Sequence, residues 1–218
     1  MTMEGLILKV QPYRDNDRMC FVHTPEGKRT LIARGAQKTN NADRILAQYM
    51  TRIAFKDAGR PIQTLSGGTI LDGYPSIKDD VRLLRHAAVI LEILDRVVIG
   101  DFDHKSIHDN AIQALDAPLV KEASLAFALR MTRPLGIGIS LEADGRPVKG
   151  VSVDRGGIVY KEENVHADLD VQDTIVVLKL MRVPYDALEA LDEATCQRII
   201  LFVRTYYQYH LNVTLKTL

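Results

Sequence analysis

The sequence predicts an α+β chain in which a small N-terminal β-barrel precedes an α-helical domain that carries a short β excursion. Three observations lead to this. The first 75 residues hold five short runs rich in β-branched and aromatic side chains, separated by turn chemistry. At Tyr74-Pro75 the texture changes to apolar residues at helical spacing. Later, between two helical stretches, residues 138–165 contain the turn signals ADGRP and DRGG flanked by short apolar runs.

In order, the strand runs are GLILKV, MCFVHT, KRTLIAR, YMTRIAFK and PIQTLSGGTILD, with PEGK (25–28) and DAGRP (57–61) as turns. Met19, Phe21 and His23 alternate only weakly with Cys20, Val22 and Thr24, as expected for a barrel strand with both faces partly covered. Five strands in about seventy residues fit an OB-type or an SH3-type barrel, and spacing alone does not choose between them. Ser76 followed by Asp79 reads as a capping box. It opens a helix of about 24 residues that runs through Val81, Leu84, Ala88, Leu91 and Val98 to Gly100. Further helices are expected at about 104–116, 119–134, 172–182, 185–191 and 193–211, with Pro118 and Pro184 at their edges. The boundary between the two domains falls near residues 75–80.

The chain has 28 basic and 28 acidic residues, a balance that argues against a polybasic binder. The distribution is uneven. Residues 1–60 hold eleven basic and six acidic groups, a surplus of five that the remainder of the chain cancels. Cys20 and Cys196 are too few and too far apart for a disulfide framework or a four-cysteine zinc site. MTMEGLILKV lacks a charged region leading into a long apolar run, so no signal peptide is expected. The apolar stretch from His86 to Gly100 is interrupted by Glu92, Asp95 and Arg96, so no membrane span is expected either. The expected location is the cytoplasm.

No constellation in the chain advocates an enzyme. A phosphate loop of the form G-x-x-x-x-G-K-[ST] is absent, and GIGIS (136–140) reads as a helix C-cap and turn rather than a nucleotide site. His104 and His108 share a helix face, but without further ligands they read as two solvated histidines. Cys20 and His23 fall on opposite faces of one strand, so they do not form a nucleophile–base pair.

The basic groups make a better case, because phosphate binding needs several Lys or Arg on one surface. Arg14 and Arg18 lie in YRDNDR, Lys28 and Arg29 follow the PEG turn, and Arg34, Lys38 and Arg44 bracket a loop containing Asn40 and Asn41. Tyr13, Phe21, Tyr49 and Phe55 are available for base stacking, although most aromatics in so small a barrel are core. The bland reading is that these cations only solubilise surface strands, with Asp15 and Asp17 diluting the first loop.

Three segments resemble the RecO family of bacterial recombination mediators. These are EGLILKVQPYRDNDRMCFVHTPEGKRTLIARGAQK at the start, YPSIKDDVRLL at 74–84 and TYYQYHLNVTLKTL at the end. The resemblance implies an OB-fold domain at 1–78 and an α-helical domain at 79–218 with a β insert at about 138–165. It implies binding to single- and double-stranded DNA, annealing of complementary strands, and help with RecA loading together with RecR. It also implies a surface for the C-terminal tail of single-stranded DNA-binding protein, a cytoplasmic, nucleoid-associated location, and no cofactor. Arg34 and Lys38 stand in the family's A-K-G-A-R-K motif, where Gln37 replaces a basic residue. Many RecO proteins carry four zinc-binding cysteines in the insert. The corresponding positions here are Arg146, Lys149, Tyr160 and Glu163, so a zinc-free insert packed on Val151, Val153, Ile158 and Val159 is expected. The rival reading is a scaffold of the same pathway without DNA affinity.

Overall fold

The computed structural model describes residues 1–218. The chain divides into two compact units, Met1–Asp80 with Leu94–Asn110, and Val81–Ile93 with Ala111–Leu218.

The first unit is built on six strands: β1 (Thr2–Tyr13), β2 (Asp17–Thr24), β3 (Gly27–Ala33), β4 (Arg52–Lys56), β5 (Ile62–Thr64) and β6 (Thr69–Asp72). They form one sheet in the order β5-β3-β2-β1-β4-β6, antiparallel except for the β3–β5 pair. The sheet is curled. In the ladder β4 and β5 are four intervals apart, about 19 Å if flat at ~4.8 Å per interval. Yet Gln63 Nε2 donates to Lys56 O at 2.8 Å, and Lys56 N donates to Ser66 O at 3.1 Å. Inside the curl lie Ile7, Cys20, Val22, Leu31, Ile53, Phe55 and Leu65. A register shift between Ile7 and Lys9 lets both Ile7 and Leu8 be buried. Cys20 faces this core and His23 the opposite side of β2, as the strand period requires.

Two expectations for this region are corrected. The run PIQTLSGGTILD is two strands, not one, broken at Leu65–Gly68, and its halves pair at opposite ends of the sheet. The capping box at Ser76 does not form. Ser76 sits inside a short helix, α2 (Pro75–Lys78; α1 is Asp43–Leu46), whose N-cap is Tyr74 in the left-handed region with no side-chain cap. The chain then breaks at Asp79-Asp80 before α3 (Val81–Arg96). Two consecutive aspartates, poor interior residues that favour caps and turns, override the longer apolar period.

The second unit holds most of α3, the end of α4 (His104–Leu115), then α5 (Val120–Met131), α6 (Val171–Arg182) and α7 (Glu193–Leu211). Helix α5 is buried on nearly every side, against α6 and α7, with Lys121 and Arg130 only part-buried. The Tyr207 hydroxyl on α7 donates to Ala128 O at 2.8 Å. Side-chain caps start the other two helices. Asp170 accepts from Asp173 N and Asp192 from Thr195 N, both at 2.9 Å. Buried Asp173 also receives two hydrogen bonds from Arg198, at 2.5 and 2.9 Å. The helix expected at 185–191 shrinks to a 3₁₀ turn at Tyr185–Ala187. The segment beyond it is held extended by Leu191, whose N–H donates to Glu122 and whose carbonyl accepts from Lys121.

The insert is a three-stranded sheet, β7 (Val148–Ser152), β8 (Gly157–Tyr160) and β9 (Leu169–Asp170), in the order β8-β7-β9. Val151, Val153 and Val159 are buried, while Ile158 is only half-buried. Three of the four residues that the resemblance sets at zinc-ligand positions meet. The Arg146 guanidinium stacks 3.7 Å from the Tyr160 ring centroid and pairs with Glu163 at 3.2 Å, Glu162 at 3.0 Å and Asp144 at 2.7 Å. Hydrogen bonding to Arg146 holds the Asp144 carboxyl down at about 2. The fourth position, Lys149, donates instead to Val165 O at 2.6 Å.

Candidate nucleic-acid interface

Two loops of the first unit are tied into one surface. The turn after β1 contains Arg14 and Asn16, and the loop after β3 runs from Arg34 to Ala42. Gly35 N donates to Asp17 Oδ1 at 2.8 Å, and Gln37 N donates to Asn16 O at 2.9 Å. The Gln37 side-chain amide donates to Asp17 O at 2.8 Å and to Arg14 O at 3.4 Å. Asn41 closes the second loop on itself by donating to Arg34 O at 2.9 Å. Gln37, a lost charge when read in sequence, is therefore a clasp. It fixes two loops whose cations Arg14, Arg34 and Lys38 are exposed, with no ion pair to any of the three. Arg14 itself has a positive φ of 51° and lies 5.1 Å from the Tyr13 ring centroid.

Replacing Gln37 by Ala removes the clasp and no charge. About 1 kcal/mol of hydrogen bonding is lost, so amide exchange across residues 35–41 is expected to speed up roughly fivefold. Unchanged exchange would show that the loops are fixed by something else.

The structure does not leave the other cations equally free. Arg18 donates to Ala47 O at 3.0 Å, and Lys28 donates to Asp95 O at 2.5 Å. Burial holds the Lys28 ammonium below its usual range, against the pull of Asp95. Arg29 pairs with Glu26 at 3.2 Å and lies 4.0 Å from Asp57. Arg44 on α1 is half-buried. Among the aromatics Phe55 is in the core, whereas Tyr13 and Phe21 are half-exposed and Tyr49 is exposed.

The sequence reading missed Lys9. Its Nζ stands 5.6 Å from the Phe21 ring centroid, on the neighbouring strand, and Phe21 in turn lies opposite Thr30. Half-exposed Met19 and Ile32 continue this outer face. Strand register is the signal that finds it, because Lys9 and Phe21 are direct partners across β1 and β2.

The expectation of solvated histidines on α4 is also corrected. His108 is 1% exposed, and both it and His104 contact the fully buried His23 at 3.3 Å. The two contacts use opposite nitrogens of His23, so the three rings do not converge on a single point. No set of three or more His, Cys, Asp or Glu is arranged to hold a metal ion.

Residues 1–74 match the family described as Recombination protein O N terminal. The chain is similar to the DNA repair protein RecO of Exiguobacterium sibiricum, 27% identical over 180 residues that cover 75% of this chain and 72% of that protein. It is also similar to the DNA repair protein RecO of Desulforamulus reducens, 26% identical across 99% of this chain and 91% of that protein. The match to the DNA repair protein RecO of Listeria welshimeri is 30% identical over 95 residues and spans 37% of that relative's length, 43% of this chain. The N-terminal match contains both clasped loops, and the longer similarities continue through the helices: residues 1–74 match the RecO N-terminal family, and the chain as a whole is similar to DNA repair proteins RecO.

Proposed function

We propose that this chain is a recombination mediator that captures DNA backbones on the clasped loops of an OB-type barrel and anneals complementary strands. The parallel β3–β5 pair and the curl of the sheet support the OB reading. The observation that carries DNA binding is the clasp. It gathers Arg14, Arg34 and Lys38 as exposed cations on rigidly joined loops, beside the Tyr13, Phe21 and Lys9 face. Cations on fixed backbone displace counterions with little ordering cost, and half-exposed aromatics give unstacked bases a platform. Within the set of Arg14, Arg18, Lys28, Arg29, Arg34, Lys38 and Arg44, the three free heads lead. Arg18, Lys28 and Arg29 act mainly on the protein itself.

In this reading residues 1–78 are the DNA-binding domain, for single and double strands. Residues 79–218 serve partners: RecR, the tail of single-stranded DNA-binding protein, and RecA indirectly. The insert at about 138–165 works without zinc, with three of the four expected metal positions, Arg146, Tyr160 and Glu163, packed together in the Arg146 cluster. The work is done in the cytoplasm, at the nucleoid, without a cofactor and without bond chemistry. No helix is long and apolar enough to cross a membrane.

A scaffold of the same pathway is the second reading, favoured by the three cations already engaged with protein atoms. A salt titration of oligonucleotide binding separates the two. The DNA-binding reading expects log K to fall linearly with log salt, with a slope of roughly −3 for three phosphate contacts. Negligible binding at 50 mM salt overturns it in favour of the scaffold.

A further inference from the structure

The contacts of His104, His23 and His108 form a chain with an acceptor at each end. His104 Nε2 reaches Gly100 O at 3.0 Å, and His104 Nδ1 faces His23 Nε2 at 3.3 Å. His23 Nδ1 faces His108 Nδ1 at 3.3 Å, and His108 Nε2 faces Glu4 Oε1 at 3.3 Å. A carbonyl oxygen and an ionised carboxylate accept only. Burial opposes the ionisation of Glu4, but Arg52 at 2.6 Å and His108 outweigh it and hold the carboxyl below its usual range.

Proton counting follows from that geometry. Four contacts need four N–H hydrogens, and three neutral imidazoles supply three. One added proton completes the chain. A second would place two N–H groups face to face in a buried stack, where the His23 and His108 rings are 5.5 Å apart and 18° from parallel. The charged groups around the chain do not relieve this. Lys28 on β3 and Arg52 on β4 are cationic, while Glu4 on β1 and Asp109 on α4 are the acids facing it. Asp109 is already paired with Lys105 at 2.8 Å, and Lys28 is bound to Asp95 O.

We propose that His104, His23 and His108 form an acid-released latch that holds the first turn of α4 on the outer face of β2. The latch closes with at most one extra proton, whereas released histidines take up three as pH falls through about 6.5. Burial, with the neighbouring imidazoles and Lys28, pushes His23 down to about 3. Burial also lowers His108 despite the opposing pull of Glu4. Both shifts favour the neutral form in the closed state, so the stabilisation is fully present above the ordinary histidine range and is lost as pH falls below it. This inference rests on the first unit alone and is independent of the DNA-binding reading.

The test is hydrogen exchange on the full chain from pH 7.5 to 5, corrected for intrinsic exchange rates and read on peptides covering 104–110. Protection there is expected to fall with a slope approaching two protons, about a hundredfold per pH unit below pH ~6. The double variant His104→Gln, His108→Gln keeps polar contacts but leaves one titrating ring. Its slope is expected to stay within about tenfold per pH unit. Protection independent of pH, or an equal slope in the double variant, overturns the latch. Should the double variant not fold, ring-proton NMR of the natural chain decides. At most one proton taken up by the three rings before release supports the latch, and two or more taken up with protection intact overturns it.

Discussion

Replacing Arg34 and Lys38 together by alanine is expected to weaken oligonucleotide binding roughly 60-fold near 0.1 M salt and to flatten the salt slope by about 2. Each phosphate contact contributes about 0.9 to the slope, hence about 0.9 log units at this salt relative to 1 M. Both side chains are exposed and make no ion pair, so folding stability should move by less than about 0.5 kcal/mol. Fluorescence anisotropy across a salt series, alongside thermal unfolding, reads both quantities. Strand annealing should fall in parallel, since it needs two backbones held at once. Arg18→Ala is the contrast. Its guanidinium is bound to Ala47 O, so its loss should act on stability more than on the slope. Affinity and slope unchanged in the Arg34/Lys38 variant would place DNA elsewhere or nowhere on this chain.

Local chemistry made much of the architecture legible. The expected helix at 193–211 matches α7 residue for residue, because Asp192 caps it and the apolar period is uninterrupted. Helices α4 and α6 fall within a residue of expectation for similar reasons. The break at Asp79-Asp80 is a local effect, but the other misses share a physical cause, which is that the deciding interaction lies far away in sequence. Nothing within PIQTLSGGTILD says that its first half joins β3 and its second β4. The segment 188–191 carries helical residues, yet Glu122 and Lys121 claim its backbone.

The candidate site divides in the same way. The basic loop was visible as composition, but Gln37 could be read only as a missing charge. Its role depends on Arg14 and Asp17, 23 and 20 residues distant. His23 and His108 are 85 residues apart, and a strand histidine and an i,i+4 helix pair give no local sign of meeting. Charge and turn chemistry are sequence properties. Clasps and proton chains are properties of packing.

The insert offers the largest expected stability effect. Gly150→Ala should destabilise the helical unit by about 3 kcal/mol or more, lowering its Tm by several degrees at ~2–4 °C per kcal/mol. Gly150 stands at the register shift of β7, directly opposite Asp170 of β9. A Cβ there would press into the carbonyl oxygen of Leu169 and approach Leu169 C and Ala167 Cβ at 3.0 and 3.1 Å. These are backbone and short side-chain atoms with no room to yield, so the β7–β9 pairing must open. Asp170 is also the cap of α6, and opening that pair undermines the helix start. Gly145→Ala is the control, with a positive φ of 96° but no heavy atom near the added carbon. Its cost should stay near the ~1–2 kcal/mol of the left-handed backbone alone. Equal losses in the two variants would mean that backbone strain, not the close approach of β9, keeps glycine at 150. A larger loss at 150 would show that the close approach of β9 is what requires glycine there. The glycine serves strand pairing, while the Arg146 cluster only tethers an exposed edge.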